Sequence, residues 1–243
     1  MNKMIPVEKW GYSLPITAPL YKEPPEIWYG ARVQCVVYET KEERVREVVP
    51  EPLEPVNNTV IAWVSDNPLT NVGPFHEAAV YVTCKFKKIV AVYEPFLYVD
   101  QEVPFANGRE IWGYCKKLAN ISLRLEKEIV IGEVERVGTK IMTLLSTNDK
   151  PAKLEDIPWT EDGIFSIKYI PSAEAGKPPL RQLILTKADL KARPGAFFGG
   201  VGSIRFERSE IDPLYRLEPV KIIGGFYGIC DMNLPLGKIV HNY

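Results

Sequence analysis

Short runs of apolar or alternating residues, cut at close intervals by Gly, Pro and Asn, constrain this chain more than any other feature. They leave room for strands and for little else. Runs at residues 33–38, 60–64, 78–86, 96–99, 129–137, 140–145, 164–170, 180–185, 203–206 and 221–227 are rich in Val, Ile, Leu, Tyr and Phe, which suit a pleated surface. In Ile121-Ser122-Leu123-Arg124-Leu125 apolar and polar side chains alternate, so one face is expected inside and the other in water. Other runs are apolar on both faces, which predicts strands covered on each side. Asn71-Val72-Gly73-Pro74, Asn107-Gly108, Pro178-Pro179, Pro194-Gly195 and Gly224-Gly225 supply the breaks. Many short strands at such spacing predict a closed or double-layered β architecture.

Helical signals are few. The best is Thr40-Lys41-Glu42-Glu43, which has capping-box spacing, followed by Val45, Val48 and Val49 and stopped by Pro50. Residues 151–158 form the one plausible linker, and it is short. With no internal repeat and no low-complexity segment, residues 1–243 are expected to form a single domain. A domain of that size buries roughly 70–75% of its unfolded surface, enough to enclose a dry pocket.

Charge and composition exclude several classes of function. Thirty Lys and Arg against 31 Asp and Glu leave a net charge of −1, with no basic block to displace counterions from nucleic acid. Lys85, Lys87 and Lys88 read as a solvated turn between strands. No apolar run approaches the ~20 residues of a membrane-spanning helix. Residues 1–6 lack the apolar core of a signal peptide. A cytoplasmic protein with neither nucleic acid nor membrane as partner is expected. Cys35, Cys84, Cys115 and Cys230 are widely spaced and indicate neither a disulfide framework nor a zinc ribbon. His76 and His241 are the only histidines, so no metal site is expected. Gly199-Gly200-Val201-Gly202 is wrongly flanked for a dinucleotide fingerprint and reads as a turn before the strand at 203.

The chemistry-bearing stretch is Gly108-Arg109-Glu110-Ile111-Trp112-Gly113-Tyr114-Cys115-Lys116-Lys117. Its two lysines follow Ile111, Trp112 and Tyr114 and precede Leu118 and Ala119, so an ammonium is expected against apolar surface. A free lysine is neutral only about 0.04% of the time at pH 7. Burial can shift its pKa by about 3–5 units, and a second ammonium about 6 Å away contributes roughly 2–3 kcal/mol. Consecutive side chains on a strand point to opposite faces, so Lys117 should diverge from Lys116 and desolvation should dominate. A neutral buried amine attacks carbonyls. Arg109 and Glu110 are expected to pair and brace the segment, and Trp10, Trp28 and Trp159 to be core or interface residues.

Gly108-Arg109-Glu110 followed by Lys116-Lys117-Leu118 resembles the catalytic segment of the acetoacetate decarboxylase family, itself a standard illustration of an activated lysine. Pro15-Ile16-Thr17-Ala18-Pro19, Val48-Val49-Pro50-Glu51-Pro52-Leu53-Glu54 and Leu234-Pro235 resemble further landmarks of that family, in the same order and at similar spacing. The resemblance spans about residues 13–243 and is weakest from 130 to 220. It implies an α+β fold, predominantly antiparallel β, built as a closed cone-like barrel or double-layered sheet with a few peripheral helices. It also implies a homo-oligomer that uses no cofactor and acts on a small keto acid. By resemblance Lys116 is the Schiff-base lysine, Lys117 its neighbour and Glu77 an active-site acid or base.

Departures from the family pattern bear on the substrate. A second family glutamate falls at Trp63, and the family's arginine falls at Ala31, with Arg32 one place later. A one-residue slip on a strand reverses the face, so Arg32 can bind substrate only if a bulge corrects the register. Cys115 stands where the family has proline. Trp63, Trp112 and Tyr114 could shape a larger, more apolar pocket, with His76 beside it. Three functions follow: decarboxylation of a β-keto acid, acetoacetate or a larger analogue; aldolase or aldolase-dehydratase chemistry on a keto acid such as pyruvate; or ligand binding without turnover.

Overall fold

The alternating runs become the strands of two sheets. A computed structural model describes residues 4–160 and 162–243; Met1–Lys3, the start of the N-terminal stretch read above, lie outside them. The larger sheet is built on four long neighbours, Lys221–Leu234, Glu26–Glu39, Glu54–Asn67 and Phe75–Phe86, followed by Ile89–Val99. All of these pair antiparallel. Beyond Ile89–Val99 come Ile164–Ile170, Leu180–Thr186 and Lys238–Asn242, and at the other end Asp189–Gly200 and Lys150–Pro151. The smaller sheet contains Gly202–Arg205, Thr139–Thr147, Ile129–Arg136 and Asn120–Glu126. Pairing is antiparallel except where Ile89–Val99 meets Ile164–Ile170 and the two-residue strand Lys117–Leu118.

The two sheets stack, which is the layered form of the expected architecture; they do not close into a barrel, because the larger sheet runs from Lys150–Pro151 to Lys238–Asn242 as an open path. Two apolar layers result. Val36, Tyr38, Val60, Ala62, Val64, Val80 and Val82 pack against Ile121, Leu123, Val130, Val134, Ile141, Met142 and Leu144 of the smaller sheet. On the opposite face Val33, Cys35, Val37, Ile61, Trp63, Ala79 and Tyr81 pack with Trp112, Tyr114 and Ile157. The strands apolar on both faces are thus covered twice, as their composition requires.

Several local readings need correction. The helix after Thr40 spans Glu42–Val48, but its N-cap is Lys41 and no side chain caps it. Thr40 Oγ1 donates instead to the Glu218 carbonyl, 2.8 Å away, so the capping-box spacing was satisfied by another partner. Pro194-Gly195 does not end a strand; it sits in a bulge of Asp189–Gly200, where pairing with Lys221–Leu234 skips from Ala192 to Phe197. Residues 151–158 are not a linker. Lys150–Pro151 pairs with Gly199 and Phe198, and a 3-10 turn at Leu154–Asp156 follows against the sheet. No helix among the described residues is long and apolar enough to cross a membrane.

Candidate active site

The lysine-bearing segment begins as a short helix, Glu102–Asn107, which widens into one π turn over Gly108–Trp112. Such turns recur at functional sites. Gly113 ends it with φ +78°, and a Cβ there would lie 2.2 Å from Lys168 Cα. Only glycine meets both demands. Tyr114, Cys115 and Lys116 lead into Lys117–Leu118, paired with Tyr98 and Val99. Three hydrogen bonds fix the segment: Trp112 Nε1 donates to the Pro235 carbonyl (2.9 Å), Ser166 Oγ to that of Trp112 (2.7 Å) and Arg109 to that of Lys116 (3.1 Å). Arg109 therefore braces the lysine directly rather than through Glu110, which accepts from the Tyr21 hydroxyl.

Lys116 is 3% exposed. Its Nζ lies 3.0 Å from Glu77 Oε2 and 5.9 Å from the ring centroids of Phe75 and Tyr114. Glu77, Ala79 and Tyr81 alternate with Ala78, Val80 and Val82, which places Glu77 on the face away from the smaller sheet. A third strand contributes Glu94. Pairing between Phe75–Phe86 and Ile89–Val99 skips from Val80↔Phe96 to Val82↔Tyr93, so Glu94 and Pro95 together oppose Tyr81. That bulge puts Val92, Glu94 and Leu97 on the lining of one cavity. Glu26 is the third carboxylate acting on Lys116; its oxygens accept from Trp28 Nε1 (2.7 Å) and Asn107 Nδ2 (2.8 Å).

Glu26, Glu77, Glu94, Lys116, Trp63, Tyr81 and Tyr114 line a cavity of about 570 Å³, walled on another side by Leu154, Ile157 and Trp159. The charges decide one another. Burial pushes the Glu77 carboxyl up, while Lys116 pulls it down. Burial also acts to lower Lys116, but Glu77, Glu26 and Glu94 together hold its ammonium above the usual lysine range. This reverses the expectation from sequence, in which desolvation was to win. Carboxylates from three distant strands outweigh it.

Lys116, Glu77, Trp63 and Tyr114 meet in the cavity; Lys117, Arg32 and His76 do not. Lys117 Nζ turns away to the Ile211 carbonyl and to Asp212 Oδ1, both at 2.7 Å. Arg32 pairs with Asp66. A bulge does exist nearby, but it lies between Trp28 and Ala31 and leaves Ala31, not Arg32, in the apolar layer of the cavity face. His76 points opposite to Glu77, with Nδ1 2.7 Å from Asp100 Oδ2 and Nε2 3.6 Å from Asp66 Oδ1. Trp28 and Trp159 prove to be cavity residues, whereas Trp10 is half exposed. Sequence reasoning missed Glu26, Glu94 and Tyr81. Pro95 inside an apolar strand was the available signal for the bulge. Among the described residues no group of three or more His, Cys, Asp and Glu could hold a metal ion.

A family profile described as acetoacetate decarboxylase matches residues 13–243. The acetoacetate decarboxylase 2 of Mesorhizobium japonicum is 26% identical over 98% of this chain and 91% of its own length. The crystal structure of acetoacetate decarboxylase from Legionella pneumophila superposes with a TM-score of 0.87 at 25% identity, covering 100% of this chain and 98% of that one. A second similar structure is the enduracididine biosynthesis enzyme MppR complexed with the condensation product of pyruvate and imidazole 4-carboxaldehyde. It has a TM-score of 0.78 at 20% identity and 98% coverage of both chains.

Proposed function

Because this chain belongs to the acetoacetate decarboxylase family, we propose that it is a Schiff-base lyase that decarboxylates a β-keto acid larger than acetoacetate. One observation carries the reading: a lysine amine 3.0 Å from a buried carboxylate inside an aromatic cavity. Glu77 is placed to take the Lys116 proton as substrate enters, which leaves a neutral amine and a neutral acid. The amine adds to the substrate ketone, and the carbinolamine hydroxyl takes a proton from a second acid of the pocket and leaves as water, giving an iminium at Lys116. The bond to the carboxylate then breaks, its electron pair flowing into the iminium to form an enamine as carbon dioxide departs. Glu77 returns its proton to the enamine carbon, and hydrolysis frees the ketone.

The lining supports loss of the carboxylate. Among the aromatic and apolar side chains of the lining a substrate carboxylate loses its water, and that cost is relieved as carbon dioxide leaves. The cavity of about 570 Å³ would be mostly empty around acetoacetate, which favours a longer chain. A second reading has support of its own. The described lining contains no arginine to hold a carboxylate, and MppR shares the fold while binding a pyruvate condensation product. The same enamine could attack an aldehyde instead. The family reading also expects at least a dimer.

Borohydride trapping decides between these outcomes. Purified protein is incubated with acetoacetate, longer β-keto acids and pyruvate, reduced, and read by intact mass and carbon dioxide release. Adducts at Lys116 with carbon dioxide from β-keto acids are expected. An adduct with pyruvate and no carbon dioxide from any β-keto acid would favour the aldolase reading. No adduct with any of them would leave a binding protein.

A further inference from the structure

The three carboxylates about Lys116 are not equivalent. Both oxygens of Glu26 are committed as acceptors, and Glu77 pairs with the amine. Glu94, 6% exposed, has an Oε2 that is buried with no hydrogen-bond partner among the described residues. An orphaned oxygen in a native core calls for an explanation. Its position is enforced twice. The bulge opposite Tyr81 turns it to the cavity, and the thiol of Cys115, the residue before Lys116, donates to the Glu94 carbonyl at 3.2 Å. That contact uses the residue that stands where the family pattern has proline.

Charge explains the orphan. Burial first, then the neighbouring Glu77, push the Glu94 carboxyl up to about 8, against the pull of Lys116 and a Tyr81 hydroxyl contact. A carboxyl in such a site carries its proton at neutral pH. Trp63 removes a carboxylate that the family pattern has, and Glu94 returns one from another strand, protonated.

We propose that Glu94 is the general acid and base of this pocket: its O–H protonates the carbinolamine hydroxyl on Lys116, and its carboxylate later deprotonates the water that hydrolyses the imine. The carbon–oxygen bond breaks, the nitrogen lone pair closes the iminium, and water leaves with the proton of Glu94. When water adds back after carbon dioxide loss, its proton restores the acid. The proposal rests on the imine reading above and applies to either fate of the enamine.

The test compares the full chain with Glu94→Gln, which keeps the shape and cannot exchange a proton. Infrared difference spectra between about pH 6 and about pH 10 should show a protonated carboxyl that titrates in the wild type and is missing in the variant. Trapping of a ketone that labels wild-type Lys116 should slow ~10²-fold in the variant, and the decline in rate above about pH 8 should vanish. Glu94→Asp should recover part of the rate. A variant trapping within about threefold of wild type, or spectra in which no protonated carboxyl is lost, would overturn the assignment. A wild-type protein that labels with no ketone overturns the imine reading and this proposal with it, whatever the spectra show.

Discussion

One methyl group at position 108 separates the placement of the lysine from the stability of the fold. A Cβ built on Gly108 lies 2.7 Å from both Cδ and Cε of Lys116 and 3.2 Å from its Nζ. Ordinary carbon–carbon contact is ~3.5–4.0 Å, so Gly108→Ala drives the lysine stem back by about 1 Å. The 3.0 Å contact with Glu77 is then lost. The backbone itself does not object. Gly108 has φ −59° and ψ −44°, right-handed helical values that any residue adopts. Alanine gains about 1 kcal/mol of helix propensity there, offsetting an overpacking cost of about 1–3 kcal/mol that a flexible side chain absorbs in part. Stability should fall by no more than about 2 kcal/mol. Misplacing a reacting group by such a distance costs ~10²-fold in rate. Urea unfolding and the rate of borohydride trapping, measured on one preparation, read the two effects separately. Trapping at the wild-type rate would show that Gly108 does not set the position of the amine.

Two further outcomes follow from the buried charges. Asp212 is fully buried and accepts from Lys117 (2.7 Å), Arg136 (2.8 Å) and Tyr98 (3.2 Å). Its two cationic partners are partly exposed, so Asp212→Asn should cost about 2–3 kcal/mol in urea unfolding; an unchanged midpoint would refute a structural clamp on the strand after Lys116. Glu94 is raised from 4.5 to about 8, so the folded state holds a proton that the unfolded chain releases. Its contribution to stability is complete below about pH 4.5 and declines as pH rises to about 8, by up to about 1.4 kcal/mol per unit. Glu94→Gln lacks that slope, and its advantage over wild type should widen from about pH 5 to about pH 8; parallel stability curves would exclude the shift.

The strands were legible because their alternation is local. Residues 164–170 coincide with Ile164–Ile170, and Lys116 and Lys117 diverge as expected of neighbouring side chains, although the strand itself begins only at Lys117. What stayed hidden depends on partners far away in the chain. Pro194-Gly195 looked like a turn because the bulge that accommodates it is defined by the facing strand. Glu94 looked like an ordinary strand residue until the pairing with Tyr81 slipped by one. The direction of the Lys116 pKa could not come from its own neighbours, since Glu26, Glu77 and Glu94 sit on three other strands.

The wall formed by Leu154, Glu155, Ile157, Trp159 and Thr160 comes from one contiguous stretch. Its hydrogen bonds run within itself, to Phe197 and to Gly163, and none of those described reaches the segment that carries Lys116. This wall meets the face that carries the glutamates through ring contacts, Trp159 lying 5.8 Å from Trp63 and 5.0 Å from Tyr81 between centroids. A mutant library confined to these positions would therefore reshape one side of the cavity first, and would reach Lys116 and its glutamates only through those rings.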